Sequence, residues 1–76
     1  MQIYFGGHLD FYHPEQARWM QISLECPTLL SSLLNNLGVP RHEAHLAVVG
    51  DKQVDPYMTL VTDDDVVRLF PAVDGG

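Results

Sequence analysis

The residues that most clearly suggest a chemical role are the last two of the chain, Gly75 and Gly76. A glycine pair adds no side-chain packing and loses more backbone entropy on folding than other residues, so it is a poor structural device. Without Cβ atoms the pair can lie in a slot too narrow for other residues, and from Val73 an extended chain reaches roughly 10 Å. We therefore expect residues 74–76, beginning at Asp74, to form a flexible functional tail whose reacting group is the Gly76 carboxylate. The alternative is a frayed chain end, where small residues are common.

Other residues of reactive type lack the neighbours that their chemistry needs. His42 and His45 could share a helical turn as metal ligands, but no third ligand is evident, so no metal site is predicted. The acidic run 63–65 departs from the calcium-loop spacing and is predicted to be a solvated turn. Cys26 has no histidine at a diagnostic position and is predicted to be a small, partly buried hydrophobic residue. The sequence has no phosphate loop and no supported Ser/His/Asp pattern, so we expect a protein that is not itself an enzyme and binds no cofactor.

The composition favours one small globular domain with protein partners. The chain has 76 residues, 46% hydrophobic and 18% charged, which fits a single domain over residues 1–76. Ten acidic and four basic residues give a net charge of −6; no Lys/Arg cluster occurs, so neither nucleic acid nor membrane is expected as a partner. The single cysteine excludes an internal disulfide. Since no apolar run approaches the length of a membrane span and the first basic residue is Arg18, a cytoplasmic location is expected.

The spacing of apolar residues predicts the elements that must carry the tail. Period-two alternation and short apolar runs predict five strands, over residues 1–5, 17–25, 46–49, 52–55 and 66–73. The segments 6–14 and 57–61 show no clear period and are predicted to be irregular. Gly50 and Asp51 predict a tight turn between two strands. Trp19 falls on the outward parity of the second strand, where we expect it to pack against a loop; a partner contact is the alternative.

A leucine stripe predicts one helix, with Thr28 as its N-cap and Gly38 as the residue that ends it. The stripe consists of Leu29, Leu30, Leu33, Leu34 and Leu37. The order strand, strand, helix, strand, short strand, strand predicts an α+β fold. With the last strand parallel beside the first, this is a ubiquitin-like β-grasp, a mixed sheet of four to five strands packed on one helix.

The two periodicities also predict which side chains form the core and which face outward. The predicted core consists of Ile3, Phe5, Met20, Ile22, Leu24, Leu30, Leu33, Leu34, Leu37, Val48, Val67 and Leu69. In the last strand this parity turns Val66, Arg68 and Phe70 outward. An outward Phe beside the tail places apolar surface on the solvent-exposed face of the sheet, and such surface often marks a partner contact. Ordinary surface hydrophobicity is the alternative.

The C-terminal sequence resembles that of a known family. The last ten residues are similar to the signature of MoaD/ThiS-type ubiquitin-like sulfur carriers, and most similar to the molybdopterin synthase small subunit, whose members typically end Phe-Pro-Pro-Val-x-Gly-Gly. Residues 61–66 resemble the Leu-x-Asp-Gly-Asp turn of that family, residues 49–51 its Val-Asn-Gly turn, and residues 33–38 its helix end. The departures are Ala72 for the second proline, Asp64 for glycine, Gly50 for asparagine, and the aromatic- and histidine-rich segment 6–14.

The resemblance implies a mechanism carried by the C-terminal carboxylate. An adenylating enzyme related to ubiquitin-activating enzymes would consume ATP to activate Gly76, and a persulfide-derived sulfur would replace AMP to leave a thiocarboxylate. The carrier would then insert its tail into the molybdopterin synthase large subunit or another sulfur-accepting enzyme. The outward parity and the resemblance together place partner contacts at Val66, Arg68, Phe70, Pro71 and Val73, next to the tail residues Asp74, Gly75 and Gly76.

Three other functions are compatible with the sequence. The chain could carry sulfur for thiamine, tRNA thiolation or another metabolite. It could be a ubiquitin-like modifier that forms amide links to lysines, or a plain β-grasp interaction domain with an incidental diglycine. A neighbouring gene for a pterin-synthase large subunit would favour a role in molybdopterin synthesis over another sulfur pathway. Lysine conjugates in cell extract would favour the modifier.

Overall fold

Two sheets, one α-helix and one 3-10 helix make up residues 1–40 and 42–72, the part of the chain that a computed structural model describes. The strands are β1 (Gln2–Phe5), β2 (Trp19–Gln21), β3 (Thr28–Leu29), β4 (Leu46–Val49), β5 (Lys52–Val54), β6 (Leu60–Val61) and β7 (Val66–Phe70). The α-helix α1 spans Leu30–Asn36, and the 3-10 helix spans Gly7–Tyr12.

The larger sheet is mixed and has five strands in the order β2-β1-β7-β4-β5. Its one parallel pair joins β1 to β7, from Gln2 opposite Val66 to Phe5 opposite Leu69. The other neighbours are antiparallel. The predicted placement of the last strand beside the first is therefore confirmed, and so is the α+β class with a mixed sheet and one α-helix.

One core joins the inner face of this sheet to α1. The buried hydrophobic residues are Met1, Ile3, Phe5, Leu9, Leu30, Leu33, Leu34, Val39, Ala44, Ala47, Val61, Val67 and Leu69. Seven of the twelve predicted core residues are in this set, and four more (Met20, Ile22, Leu24 and Leu37) pack against it while partly buried. The period-two and helical patterns thus identified most of the core.

The predicted core position of Val48 is wrong, because β4 has the opposite parity. Ala47 lies opposite Leu69 and is 1% exposed, whereas Val48 lies opposite Arg68 and is only partly buried. All four residues of β4 are apolar, so alternation gives no parity within it. Its pairing with β7 decides which side chains face inward.

The segment 6–14, predicted to be a loop, contains the 3-10 helix. Leu9 anchors this helix because its side chain is completely buried in the core. Outside the core, His8 Nε2 donates a hydrogen bond of 2.7 Å to Glu43. That bond, aided by a hydrogen bond from Tyr12, lowers the pKa of Glu43. The 3-10 helix is thus attached both to the core and to the connection that precedes β4.

The start of α1 differs from the prediction because Thr28 belongs to β3 and pairs with Val61 of β6. Leu29 is the N-cap, and its side chain makes no capping hydrogen bond. The first helical amides are satisfied elsewhere: Leu30 N donates to Thr59 O at 2.9 Å and Ser31 N to Pro56 O at 2.9 Å. The segment 57–61 is therefore not wholly irregular, since it contains β6 and helps to hold the start of α1.

Smaller differences concern strand lengths and one cysteine. β2 and β7 are shorter than predicted, and Cys26 is exposed rather than partly buried. The predicted roles of two glycines are confirmed. Gly38 ends α1 with φ +79°, and Gly50 lies in the β4–β5 turn with φ +63°. Within the described ranges, no helix has the length and apolar character to cross a membrane.

The predicted turn at residues 63–65 is present, and its first residue makes long-range bonds. The Asp63 carboxylate accepts a hydrogen bond from Leu24 N at 2.9 Å and pairs with the N-terminal ammonium at 3.3 Å. The same ammonium donates to Ile22 O at 2.7 Å. The Leu24 amide first, and then the ammonium, lower the pKa of Asp63.

The register of β4 can be tested with one substitution on each face. Ala47→Asp should cost on the order of 3–5 kcal/mol of unfolding free energy, because it leaves an uncompensated charge in the core. Val48→Asp should cost only about 1 kcal/mol, the span of strand propensities, because this position faces outward beside Arg68. Urea unfolding of both variants measures the difference; equal costs would contradict the register.

The Asp63 contacts predict a pH-dependent stability. Because folding lowers the pKa of Asp63, its contribution is complete above the unfolded value of about 3.9 and is lost as the pH falls toward the folded value. Asp63→Asn should therefore be less stable than the original chain at pH 7, and the difference should shrink below about pH 4. Asp64→Asn is the matched control, since Asp64 is exposed and makes neither bond. Thermal melts from pH 2 to pH 7 provide the measurement; a difference that persists at the lowest pH would exclude this explanation.

Candidate functional site

The outer face of the five-stranded sheet carries an aromatic and cationic patch. We call Tyr4, Trp19, Arg68 and Phe70 the outer patch. The Tyr4 ring lies 5.1 Å from the Trp19 ring and 6.1 Å from the Phe70 ring, centroid to centroid, with tilted planes. Trp19 is 44% exposed, although a side chain of this size is usually well buried. Aromatic residues and arginine on one accessible face are typical of protein-binding surfaces.

Strand register explains why these side chains meet. Tyr4 is directly opposite Trp19 on one side and Arg68 on the other, so the three form a row across β2, β1 and β7. The Arg68 guanidinium carbon lies 5.7 Å from the Trp19 ring centroid, within the range of a cation–π interaction. Arg68 also reaches Gly50 O at 3.4 Å. The cation of the patch is therefore held from two sides.

Phe70 extends the patch toward the C-terminus. It is the last residue of β7, whose residues Val67 and Leu69 are completely buried on the other face of the sheet. Phe70 is partly buried because its ring lies against Tyr4 and the backbone of Gly6. Leu46 lies opposite Phe70 on β4 and is also only partly buried. The apolar surface thus continues beyond the aromatic row at the end of β7.

The structure brings together the described residues that the sequence predicted for docking. Val66, Arg68 and Phe70 alternate with the buried residues of β7, as expected, and Pro71 follows directly and is partly buried. Val73, Asp74, Gly75 and Gly76, which complete the predicted site, lie outside the described residues.

Sequence reasoning missed two members of the outer patch, Tyr4 and Trp19. Both fall on the outward parity of their strands, so that signal was present. Their proximity to Arg68 depends on the pairings of β1 with β2 and β7. Trp19 was predicted to pack against a loop; in the structure its ring also lies against Tyr4 of β1 and under Arg68 of β7.

A cleft of about 300 Å³ lies away from the outer patch, between α1 and the segments that flank β4 and β5. Its polar lining includes Ser31, Asn35, His42, His45 and Asp55. Among the residues that the structure describes, no group of three or more metal-binding side chains is arranged to hold an ion. The cleft therefore gives no support to a metal centre built on the two histidines.

No protein-family model and no curated protein matches this chain. The features of this chain that bear on function are the outer patch, the strand that carries it and the C-terminal sequence.

Docking through the outer patch predicts that stability and binding respond differently at Phe70. Phe70→Ala should weaken binding to the enzyme partners expected from the sequence by roughly 2 kcal/mol, the scale of an aromatic hot spot. Its stability cost should stay well below the roughly 3–5 kcal/mol of a fully buried Phe, because part of the ring is exposed. Phe11→Ala is the control, since Phe11 is 70% exposed on the 3-10 helix and lies outside the patch. Calorimetric titration and thermal melts separate the two effects; unchanged binding with a large stability loss would make Phe70 only a packing residue.

Proposed function

We propose that this chain is a ubiquitin-like β-grasp sulfur carrier of the MoaD/ThiS type. It would be the non-catalytic small subunit of a molybdopterin synthase-like sulfurtransferase. The observation that carries the proposal is the position of β7. This strand lies in the centre of the sheet, pairs in parallel with β1, and leads through Pro71 toward a C-terminal diglycine.

The topology supports the finer fold assignment. A helix that lies between two strand pairs and packs on one face of a mixed sheet is the β-grasp arrangement, with the first and last strands side by side. The strand order β2-β1-β7-β4-β5 is compatible with it. In this fold the end of the last strand carries the terminal residues away from the sheet.

The chemistry follows from the weakness of a carboxylate as an electrophile. In the adenylating enzyme, a Gly76 carboxylate oxygen attacks the α-phosphorus of ATP, so that an acyl adenylate forms and pyrophosphate leaves. A persulfide sulfur then attacks the acyl carbon and AMP leaves. A thiol reductant cleaves the remaining sulfur–sulfur bond, and the carrier retains a C-terminal thiocarboxylate. In the sulfur-accepting enzyme, this sulfur attacks the substrate, a pterin precursor in the molybdopterin case.

The outer patch supplies the docking surface for both partners. Trp19, Tyr4 and Phe70 offer apolar area, while Arg68 offers a fixed cation. The chain carries a net charge of −6. Outside the outer patch, its acidic surface would therefore attract a basic surface on a partner. This division of roles leaves the catalytic residues to the partner enzymes, because the carrier contributes the sulfur and the surface that orients it.

The proposal predicts that Gly76 must be the free end of the chain. Incubation with ATP, a sulfur donor and the adenylating enzyme should make the C-terminal peptide heavier by the difference between one sulfur and one oxygen atom. One residue added after Gly76, or Gly75→Val, should abolish this change, because a carboxylate must be free and the terminal residues must fit a narrow channel. Circular dichroism should show both variants folded, because neither changes any of the core residues, which run from Met1 to Leu69.

Mass spectrometry of the C-terminal peptide distinguishes a sulfur carrier from a protein modifier. If the original chain is never thiocarboxylated, and an extended chain still supports the pathway in cells, the carrier function is excluded. Formation of amide links to lysines without a thiocarboxylate would instead identify a protein modifier. Identification of the large protein that copurifies with the chain would show which pathway receives the sulfur.

A further inference from the structure

Two consecutive glycines lie directly beneath the residues that leave the sheet at the end of β7. Gly6 follows β1 and donates a hydrogen bond of 2.7 Å to Leu69 O. A Cβ added at Gly6 would lie 2.7 Å from that oxygen and 2.8 Å from Cδ1 of Phe70. Real Cβ atoms essentially never come closer than 3.0 Å to such neighbours. The Phe70 ring therefore rests on bare backbone.

Gly7 makes the same kind of contact with the next residue of the C-terminal segment. A Cβ at Gly7 would lie 2.6 Å from Cγ and 3.0 Å from Cδ of Pro71. The proline ring cannot swing aside, because it is closed on its own backbone nitrogen. Gly6 and Gly7 thus form a seat that Phe70 and Pro71 occupy in register.

Backbone conformation alone does not account for the seat. Gly6 has φ −78° and ψ 159°, which any residue can adopt, so its lack of a side chain provides space and not conformational freedom. Gly38 and Gly50 show the opposite case: both have positive φ, and a Cβ at either would meet no atom of the described residues within 4 Å. Gly7 combines both requirements, since its φ is +54°.

Arg18, the residue that precedes β2, holds the seat in place. One guanidinium nitrogen, Nη1, donates to Phe5 O at 3.1 Å and to Gly7 O at 2.7 Å, so it bridges the chain across Gly6. Gly6 O accepts a hydrogen bond of 3.0 Å from Leu9 N, and the Leu9 side chain is completely buried. The backbone at residues 5–9 is therefore fixed by a charged hydrogen bond and by the core.

We infer that Gly6, Gly7 and Arg18 are positioning residues that set the direction in which the chain leaves the sheet after Phe70. The inference rests on the proposed function, in which the residues after Ala72 must enter the active site of a partner while the outer patch is docked. A displacement of about 1 Å at a reacting group can lower a rate roughly a hundredfold. Because the seat fixes Phe70 and Pro71 relative to the patch, it fixes the point from which the reacting end extends.

The test compares two glycines with the same backbone strain. Gly7→Ala and Gly38→Ala both force alanine to positive φ, so both should lose stability in thermal melts, and Gly7→Ala should lose more because its methyl group also meets Pro71. In ATP–pyrophosphate exchange catalysed by the adenylating enzyme, Gly7→Ala should lower kcat roughly 10- to 100-fold, with KM for the carrier nearly unchanged because the patch still docks. Gly38→Ala should leave both constants near the original values. A Gly7→Ala chain that is activated at the original kcat would overturn the inference.

A second substitution tests whether the cause is contact with Pro71. In Gly7→Ala combined with Pro71→Ala, the nearest surviving atom of residue 71 is Cβ, at 3.9 Å from the added methyl group. The double variant should therefore recover the kcat of Pro71→Ala alone. No recovery would mean that backbone strain, and not the seat, explains the loss.

Arg18→Met provides a test that does not depend on a strained glycine. It removes the bonds to Phe5 O and Gly7 O at a largely exposed residue, so the chain should fold and kcat should fall. Arg18→Lys keeps a donor and should recover part of the loss. Equal kcat values for the original chain, Arg18→Met and Arg18→Lys would overturn the role of Arg18.

An enzyme-free measurement separates failure of the inference from failure of the proposed function. Proton NMR of the original chain should show nuclear Overhauser contacts between Gly7 and the Pro71 ring, and Gly7→Ala should lose them while Gly38→Ala keeps them. Absence of these contacts in the original chain would disprove the seat itself. If the contacts are present but the original chain is never adenylated, the proposed function fails and the positioning role fails with it.

Discussion

The parallel pairing of β1 with β7 is the constraint on which the rest of the structure depends. It joins residues that are far apart in the sequence, so its stability must offset the entropy lost in closing a long loop. Ile3, Phe5, Val67 and Leu69 are all completely buried along this pair. Burial of apolar surface, which is not directional, therefore stabilises a contact that no local preference could specify. The result is that the strand leading to the C-terminus lies in the middle of the sheet.

A central strand has neighbours on both sides, and this is what creates the outer patch. Arg68 has Tyr4 on one side and Val48 on the other, and Trp19 lies one strand further along the same row. Side chains alternate along a strand, so the residues that stabilise the core and those that form the patch are different members of β7. Changes in the patch can therefore alter recognition without opening the core. A carrier that must be recognised by two enzymes in turn would benefit from this separation.

Sequence patterns predicted the elements with a clear period and failed where tertiary contacts decide. Alternation in residues 2–5 and 66–70 identified both faces of β1 and β7, and the leucine spacing identified α1. Leu9 could not be recognised as a core residue, because it is an isolated aliphatic residue in an aperiodic segment. Thr28 has the chemistry of an N-cap, but its pairing with Val61 takes it into β3. The membership of Tyr4 and Trp19 in the patch depended on register between strands, which no single segment contains.

In the proposed function, recognition by a partner would come mainly from the outer patch, because glycines offer a partner no side chains to contact. The rings of Tyr4, Trp19 and Phe70 are packed against one another or against backbone, so a partner orders few side chains when it binds them. The conformational entropy lost on docking is correspondingly small at these positions. Glycine also lacks a side chain at Gly6, where the space is needed within the chain. At Gly6 a missing side chain admits the Phe70 ring at one edge of the outer patch, whereas at the terminus, in the proposed function, it would admit the chain into a narrow active site. Glycine thus provides space within the chain at Gly6, and at the terminus it would provide space between the chain and the proposed partner.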